Sequence, residues 1–189
     1  MARGTLRGVI ELRDWQDDDA EWYVRQVRDP EILRFTTERA SLTAAEFLRA
    51  LEGLRHNDNA LGFVAVDAES GARLANVAAV RQGAVAEVSY WVAVEARGRG
   101  VASHALKLLC ERTAESWPVT EIRLWTYSGN TASGRVAEKA GFTRMPTPAT
   151  KADSGRSVAT KPDSGRSVAT KPDSGRAARW YREPAAPTA

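Results

Sequence analysis

The sequence is poor in the residues that build disulfides and metal sites: its 189 residues include one cysteine, Cys110, and two histidines, His56 and His104. A single cysteine cannot form an intramolecular disulfide, and a structural zinc site requires several thiolate or imidazole ligands. Cys110 also falls on the apolar face of a predicted helix, where a packed thiol is more common than a nucleophile. We therefore expect neither a metal site nor a disulfide scaffold.

Long apolar runs are also missing, since the hydrophobic stretches stay well below the roughly 18 residues that a membrane-spanning helix requires. The segment MARGTLRGVIELRDW at 1–15 has no apolar core of the signal-peptide kind. We therefore expect a cytoplasmic protein without membrane contacts. With 43% hydrophobic and 27% charged residues, the composition is that of one soluble domain with a buried core.

The net charge of +3 does not indicate a nucleic-acid-binding face, because it lies in one segment. Residues 149–176 carry six Lys or Arg and three Asp, and the rest of the chain is close to neutral. A face that binds duplex nucleic acid needs basic residues clustered within the fold. We therefore expect no nucleic-acid partner.

The same segment, 149–176, is a tandem repeat of a ten-residue unit that occurs three times, as ATKADSGRSV, ATKPDSGRSV and ATKPDSGR. Each unit contains the turn-forming triplet Asp-Ser-Gly and at most one valine, so it cannot bury a core. The favoured interpretation is a disordered or loosely hairpin-like insertion, and the alternative is a functional binding array.

Two helices are marked near the start of the chain. After a predicted strand at 8–15, the aspartates at 17–19 suit the positive end of a helix with one apolar face. The next helix begins at Thr43 and Glu46, which have the T-x-x-E spacing of a capping box and precede apolar residues at helical intervals.

Strand patterns dominate the middle of the chain, where short turns between apolar runs predict antiparallel neighbours. The runs lie at 61–68, 73–80 and 84–94. The third passes through EARGRG into a predicted helix, and another strand follows at 121–127, an order that indicates a parallel pair. A final helix at 130–140 should end at Gly141.

The turn RGRGVA leads from a strand into a helix N-terminus, where free backbone N–H groups and the helix dipole suit a phosphate. Gly98 and Gly100 allow a ligand to come close, and Arg97 and Arg99 add positive charge at the rim. Taken alone, the turn is equally compatible with a basic surface loop that binds nothing.

Two other nucleotide-binding motifs fit this turn poorly. The dinucleotide motif G-x-G-x-x-G would need glycine at Ser103, and its fold does not contain the preceding antiparallel hairpins. The phosphate-binding motif with G-K-[ST] is absent from the sequence.

Over about residues 8–145 the sequence resembles the GCN5-related N-acetyltransferase (GNAT) family. Its acetyl-CoA loop has the form [Q/R]-x-x-G-x-[G/A], matched here by Arg97, Gly100 and Ala102. A YWV strand precedes the loop, and N-x-x-S at 130–133 leads into AEKAGF. With DPEILRF at 29–35, these elements are most similar to the branch of RimJ/RimL-like protein N-terminal acetyltransferases.

The resemblance implies an α/β (α+β) GNAT fold, with a mixed, mostly antiparallel twisted sheet, a splayed parallel central pair and flanking helices. It implies an N-acetyltransferase domain at 8–145. The family's closing strand is expected at 177–183, which places the repeat insertion at 149–176 within the C-terminal hairpin.

The resemblance also implies acetyl-CoA as co-substrate. In the family, backbone groups matching Tyr90, Trp91 and Val92 pair with the pantetheine arm and polarise the thioester carbonyl. The side chain matching Asn130 contacts the cofactor across the splayed strands. The pyrophosphate is held by N–H groups that match Gly98, Arg99, Gly100, Val101, Ala102 and Ser103.

Acetyl transfer needs a neutral acceptor amine, and a lysine-type amine has a pKa of about 10.4, so a base or a water relay is required. Family members often carry a glutamate base on the strand before the loop, and Glu87 is the candidate. Strand alternation places it on one face with Ser89 and Trp91; the alternative is a solvent-facing glutamate. Trp91 and Trp125 are expected to pack in the core rather than to wall the acceptor cleft.

The departing CoA thiolate needs a proton or a hydrogen-bond donor. The tyrosine that many family members use is replaced here by Ala137. In the RimJ/RimL-like branch a serine matching Ser133 is assigned a comparable part, and its alternative roles are helix capping or cofactor contact.

The favoured function is therefore acetyl-CoA-dependent N-acetyl transfer to a primary amine, either a protein N-terminus or a small molecule. The alternative is a non-catalytic acyl-CoA-binding module whose repeat arm engages a partner, and a nicotinamide-dependent enzyme ranks third. The sequence leaves the acceptor and the oligomeric state open.

Overall fold

The computed structural model describes residues 9–127, 129–146 and 176–184. The predicted repeat insertion lies outside them, except for its last residue, Arg176. Within these ranges, every helix is too short or too polar to cross a membrane.

Seven strands form one sheet in the order β1-β2-β3-β4-β5-β7-β6. All neighbours are antiparallel except β4 and β5, which are parallel. The mixed sheet confirms the predicted fold class. The strands are β1 (Ile10–Asp14), β2 (Ala60–Asp67), β3 (Arg73–Gln82), β4 (Val85–Val92), β5 (Glu121–Tyr127), β6 (Thr143–Arg144) and β7 (Arg176–Arg182).

Five α-helices lie within the described ranges, at the positions where the sequence carries caps and apolar stripes. The capping box of Thr43 and Glu46 is formed as predicted, with Glu46 N–H donating to Thr43 Oγ1 at 3.3 Å and Thr43 N–H donating to Glu46 Oε2 at 2.9 Å. The helices are α1 (Ala20–Gln26), α2 (Pro30–Phe35), α3 (Ala44–Arg55), α4 (Val101–Ser116) and α5 (Thr131–Lys139).

The core lies on both faces of the sheet. Helix α4 packs on β1, β3 and β4 and buries Leu106 and Leu109 completely. On the other face, Tyr23 of α1 stacks on Phe47 of α3 at 4.4 Å between ring centroids and meets Trp91 of β4 edge-on at 5.1 Å. This aromatic cluster holds α1 and α3 against the sheet next to the end of β4.

A buried ion cluster fixes the start of α1. Asp19 is fully buried, and its carboxylate accepts hydrogen bonds from both terminal nitrogens of Arg13 and pairs with Arg73. Burial acts to raise the pKa of Asp19, but the two arginines and the backbone N–H of Gln16 outweigh it, so the pKa is lowered. This cluster is part of the scaffold.

Candidate functional site

The parallel ladder between β4 and β5 is short. It runs from Val85 opposite Glu121 to Val88 opposite Leu124 and ends there, although both strands continue. Beyond that point β4 stays paired with β3 as far as Val92, and β5 stays paired with β7 as far as Tyr127. Because each strand is held from its outer side, the two diverge and leave a gap. Backbone polar groups along such a gap are available to a ligand that lies between the strands.

The loop after β4 has an open, left-handed backbone. Gly98 and Gly100 have φ of +75° and +85°, a region that favours glycine. A Cβ built on either would meet no atom within 4 Å. The sequence predicts glycine here because a ligand must come close. The positive φ is a second reason, since residues with a Cβ rarely adopt this backbone conformation.

The turn presents a row of free donors. Gly100 is the N-cap of α4 and accepts from His104 N–H at 3.2 Å, the first backbone donor of the helix that finds a partner. Among the described residues, none of the six backbone N–H groups at 98–103 makes a hydrogen bond of good geometry to a protein acceptor, although the backbone at 97–100 is a hydrogen-bonded turn. A row of available donors at the positive end of a 16-residue helix, beneath open space, fits a pyrophosphate.

Arg97 is engaged inside the protein. Its Nη2 contacts Asp29 Oδ1 at 2.6 Å, its Nη1 contacts Glu31 Oε2 at 3.2 Å, and its Nε donates to the Val92 carbonyl at 3.2 Å. The side chain therefore ties the loop to the start of α2 and to the end of β4. Its part in ligand binding stays a prediction.

The carboxylate of Asp29 stays charged in this contact. Burial acts to raise its pKa, but the hydrogen bond from Arg97 and the N–H group of Ile32 outweigh burial and lower the pKa. Arg99, the other arginine of the turn, is half-buried. Its charge adds to the hydrogen bonds from Ser70 that lower the pKa of Asp67.

Residues of β4 and α5 meet across the sheet at the gap. Asn130 Oδ1 accepts from Ser133 N–H at 2.9 Å and so caps α5. Ser133 Oγ lies 2.8 Å from the Tyr90 hydroxyl. Burial raises the pKa of Tyr90 to about 12, so the phenol remains protonated near neutral pH. Ala137, at the position of the family's tyrosine, is fully buried.

Glu87 is half-buried on the face of β4 opposite Tyr90. Its Oε2 accepts a hydrogen bond from Trp125 Nε1 at 2.8 Å. The Trp125 ring also lies under the guanidinium of Arg179, 4.3 Å from the ring centroid, and is half-buried. Trp91, by contrast, is 5% exposed and packs in the core as expected. Trp125 is therefore partly exposed on the face of the sheet that carries Glu87, whereas the sequence analysis expected it in the core.

Sequence patterns did not identify two side chains of this region. The Tyr90 hydroxyl was outside the prediction, which concerned only the backbone of that residue. Glu38 lies in the segment between α2 and α3, where the sequence has no periodicity, and it accepts a hydrogen bond from Tyr23 at 2.6 Å. Its separation from Tyr23 by fifteen residues leaves no local signal.

Comparison with known proteins agrees with the family that the sequence resembles. The model of the acetyltransferase (GNAT) domain family matches residues 10–143. No curated protein sequence matches the chain.

Among solved structures, the chain is similar to spermidine N-acetyltransferase from Vibrio cholerae in complex with CoA and spermine, with a TM-score of 0.70, 17% identity and coverage of 93% of this chain and 95% of that one. It is also similar to the aminoglycoside acetyltransferase AAC(6')-Ib with paromomycin and acetyl-CoA, with a TM-score of 0.67, 17% identity and coverage of 92% and 93%. A third similar structure is Mycobacterium smegmatis RimJ with CoA-disulfide, with a TM-score of 0.64, 23% identity and coverage of 74% and 72%. At these identities the likeness concerns the fold.

Proposed function

The chain belongs to the GNAT family of acetyltransferases, as its sequence resemblance predicted, and from this premise we propose that it transfers the acetyl group of acetyl-CoA to a primary amine. The observation that carries the proposal is the row of free N–H groups at 98–103, which follows a strand whose inner edge is open. The loop supplies an anion site and the strand before it supplies a hydrogen-bonding edge. A long molecule with a pyrophosphate and an amide-containing arm requires these two sites next to each other.

Acetyl-CoA, when bound, supplies the acetyl group as a reactive thioester. The N–H groups at 98–103 would hold its pyrophosphate, and the backbone of Tyr90, Trp91 and Val92 would bind its arm and thioester carbonyl. Asn130 borders the same gap through its position at the start of α5. In this assignment Arg97 and Arg99 support the loop and leave ligand contact to the backbone.

Ser133 and Tyr90 are proposed to protonate the departing sulfur. Their oxygens are 2.8 Å apart at the gap, and both groups keep their protons near neutral pH. Ser133 would donate a proton to the sulfur and recover one from Tyr90, which solvent then reprotonates. Tyr90 would thereby take the part of the family's tyrosine, whose position is occupied here by Ala137. Because the Ser133 N–H is the group that Asn130 caps, Ser133→Ala leaves the cap of α5 intact.

The acceptor is proposed to be a primary amine, the chemical group shared by protein N-termini, polyamines and aminoglycosides. Spermidine N-acetyltransferase and the aminoglycoside acetyltransferase act on the last two classes, as their names state. Glu87, on the open face of β4, remains the sequence-based candidate for the base.

The experiment measures thiol release from acetyl-CoA by the full chain, with spermidine, kanamycin and a serine-headed hexapeptide as acceptors. We expect turnover with at least one acceptor. Ser133→Ala should lower kcat by on the order of 100-fold while acetyl-CoA still raises the melting temperature. Thr131→Ala, which removes an exposed hydroxyl from the same turn of α5, is the matched control and should retain activity.

Stabilisation by acetyl-CoA without turnover of any acceptor would contradict the proposal and favour a non-catalytic acyl-CoA-binding module. Failure of acetyl-CoA to stabilise the protein would reject both functions.

A further inference from the structure

A half-buried carboxylate, Glu38, lies beside the aromatic cluster on the face of the sheet that carries Trp91. Glu38 Oε1 accepts from the Tyr23 hydroxyl at 2.6 Å. The backbone is fixed here because Glu38 N–H donates to Thr36 Oγ1 at 3.1 Å, and the Thr36 hydroxyl donates to the Ile32 carbonyl at 2.6 Å. The carboxylate is therefore held in one place by α1 and α2.

The surroundings of Glu38 favour uptake of a proton. Burial raises its pKa, although the hydroxyl of Tyr23, the indole of Trp91 and the charge of Arg39 act in the opposite direction. Tyr23 faces it from α1, Trp91 from β4 and Arg39 from its own segment. Burial also raises the pKa of Tyr23 well above its ordinary value, so Tyr23 acts as a permanent donor.

The indole of Trp91 provides a second, independent observation. Its Nε1 is buried and has no hydrogen-bond partner among the described residues. It nevertheless lies close enough to Glu38 to lower the pKa of that carboxyl. A buried donor without a partner is unfavourable and is usually satisfied by a ligand or a water molecule. The indole N–H and the Glu38 carboxylate therefore face one polar position, and the contact between them falls short of a full hydrogen bond.

The position of Glu38 and Trp91 relative to the gap between β4 and β5 indicates what this pair can do. Trp91 lies in the part of β4 beyond the end of the β5 ladder, and its backbone belongs to the stretch proposed to bind the thioester carbonyl. Ser89, on the same face, is exposed. Glu87 lies four residues before Trp91, which corresponds to about 13 Å along a strand. Glu38 is thus the carboxylate at the thioester end of this face, and Glu87 is at the other end.

We propose that Glu38 receives the ammonium group of the acceptor and takes one of its protons, held in place by Tyr23 and with Trp91 facing the same space. This inference rests on the proposed function and moves the role of base from Glu87 to Glu38. The nitrogen lone pair freed by this proton transfer forms the C–N bond as the C–S bond breaks, and the electron pair of that bond leaves on sulfur. The second amine proton goes to solvent, the sulfur takes its proton from Ser133, and Glu38 returns the first proton to solvent.

The test compares kcat/KM from pH 5 to pH 10 for the full chain and its variants, with the acceptors of the thiol-release panel. For the unaltered protein, activity should rise with pH as Glu38 loses its proton. Glu38→Gln should lower kcat/KM by about 100-fold or more at pH 7. The loss should shrink toward pH 10, where more of the amine is already neutral.

Tyr23→Phe tests the proton-accepting role directly, because a merely structural role of Glu38 would leave the pH profile unchanged. It removes a hydrogen bond to the charged carboxylate, so the acidic limb of the profile should shift to higher pH. The same shift should be visible in a 13C NMR titration of the Glu38 carboxyl in the free protein. Glu52→Gln, at an exposed position on α3, is the matched control and should leave the profile unchanged.

A loss in Glu38→Gln that is equal at every pH, or an acidic limb that Glu87→Gln removes instead, would overturn the inference while acetyl transfer stands. An NMR titration of Glu38 in the ordinary carboxyl range would do the same. Absence of turnover with every acceptor would defeat the proposed function, and this inference with it. Retention of the acetyl-CoA-induced rise in melting temperature shows that each variant is folded.

Discussion

Replacement of Gly100 by alanine separates the two reasons for a glycine in the loop after β4. Gly100 has φ +85° and ψ 0°, and a Cβ there would enter the open space above the N-terminus of α4. Gly83 is a matched control, because it has φ +62° and equally open surroundings but lies in the hairpin at the opposite end of β4. Both substitutions impose a left-handed conformation on alanine, and only one of them alters the proposed pyrophosphate site.

The expected magnitudes follow from the backbone and from linkage. A left-handed conformation costs a residue with a Cβ about 1–2 kcal/mol, so both variants should unfold earlier by comparable amounts without ligand. For a chain of this size, 1 kcal/mol corresponds to about 2–4 °C in melting temperature. Acetyl-CoA at 100 times its Kd should add about 2.7 kcal/mol to the unaltered protein and to Gly83→Ala. A tenfold weaker Kd in Gly100→Ala would reduce that increment to about 1.4 kcal/mol.

The assay is thermal unfolding of the three proteins with and without acetyl-CoA, supported by calorimetric titration for the Kd. The informative quantity is the ligand-induced shift, since the strain cancels between the two variants. If Gly100→Ala loses stability but keeps the full shift, the glycine serves only the backbone. The assignment of the loop as the pyrophosphate site would then be wrong.

Three further predictions follow from contacts in the scaffold. Thr43→Ala removes the cap of α3 and should cost about 1 kcal/mol of unfolding free energy, whereas Thr43→Ser should cost much less; equal losses in a denaturant titration would contradict the capping role. The lowered pKa of Asp29 adds stability that is present above about pH 4 and is lost as the pH falls below that value. Asp29→Asn should therefore flatten the acid limb of the stability curve, and an unchanged slope would show that the contact with Arg97 contributes nothing. Burial raises the pKa of Cys110 to about 12, so a disulfide reagent at pH 8 should modify it only after denaturation; rapid labelling of the native protein would contradict this.

Features with local causes could be predicted from the sequence. The box of Thr43 and Glu46 forms within one helical turn, and Gly141 ends α5 with φ +84° because a single residue suffices for that conformation. The parallel pairing of β4 and β5 follows from the order of strand, helix and strand. The position of the glycine turn before α4 was likewise evident from neighbouring residues.

Features that depend on distant residues could not be predicted in this way. The contacts of Arg97 were not predicted, because its partners Asp29 and Glu31 are more than sixty residues away in the chain. The contact between Tyr90 and Ser133 spans 43 residues. Glu38 becomes notable only because folding brings Tyr23 against it. The chemistry of each side chain is readable in the sequence, but the neighbour that changes its role is supplied by the tertiary fold.

The short ladder between β4 and β5 has a structural consequence. Among the described strands, four residue pairs join β1 to β4 with β5 to β7, so this ladder is the strand pairing that connects the two parts of the sheet. Tyr90 and Trp91 are consecutive on the inner strand and point to opposite faces, one toward Ser133 and the other toward the helix that carries Tyr23. A molecule held in the gap would contact both parts of the sheet at once. The proposed proton donor and the proposed proton acceptor would then reach it from opposite faces of one strand, through two consecutive residues.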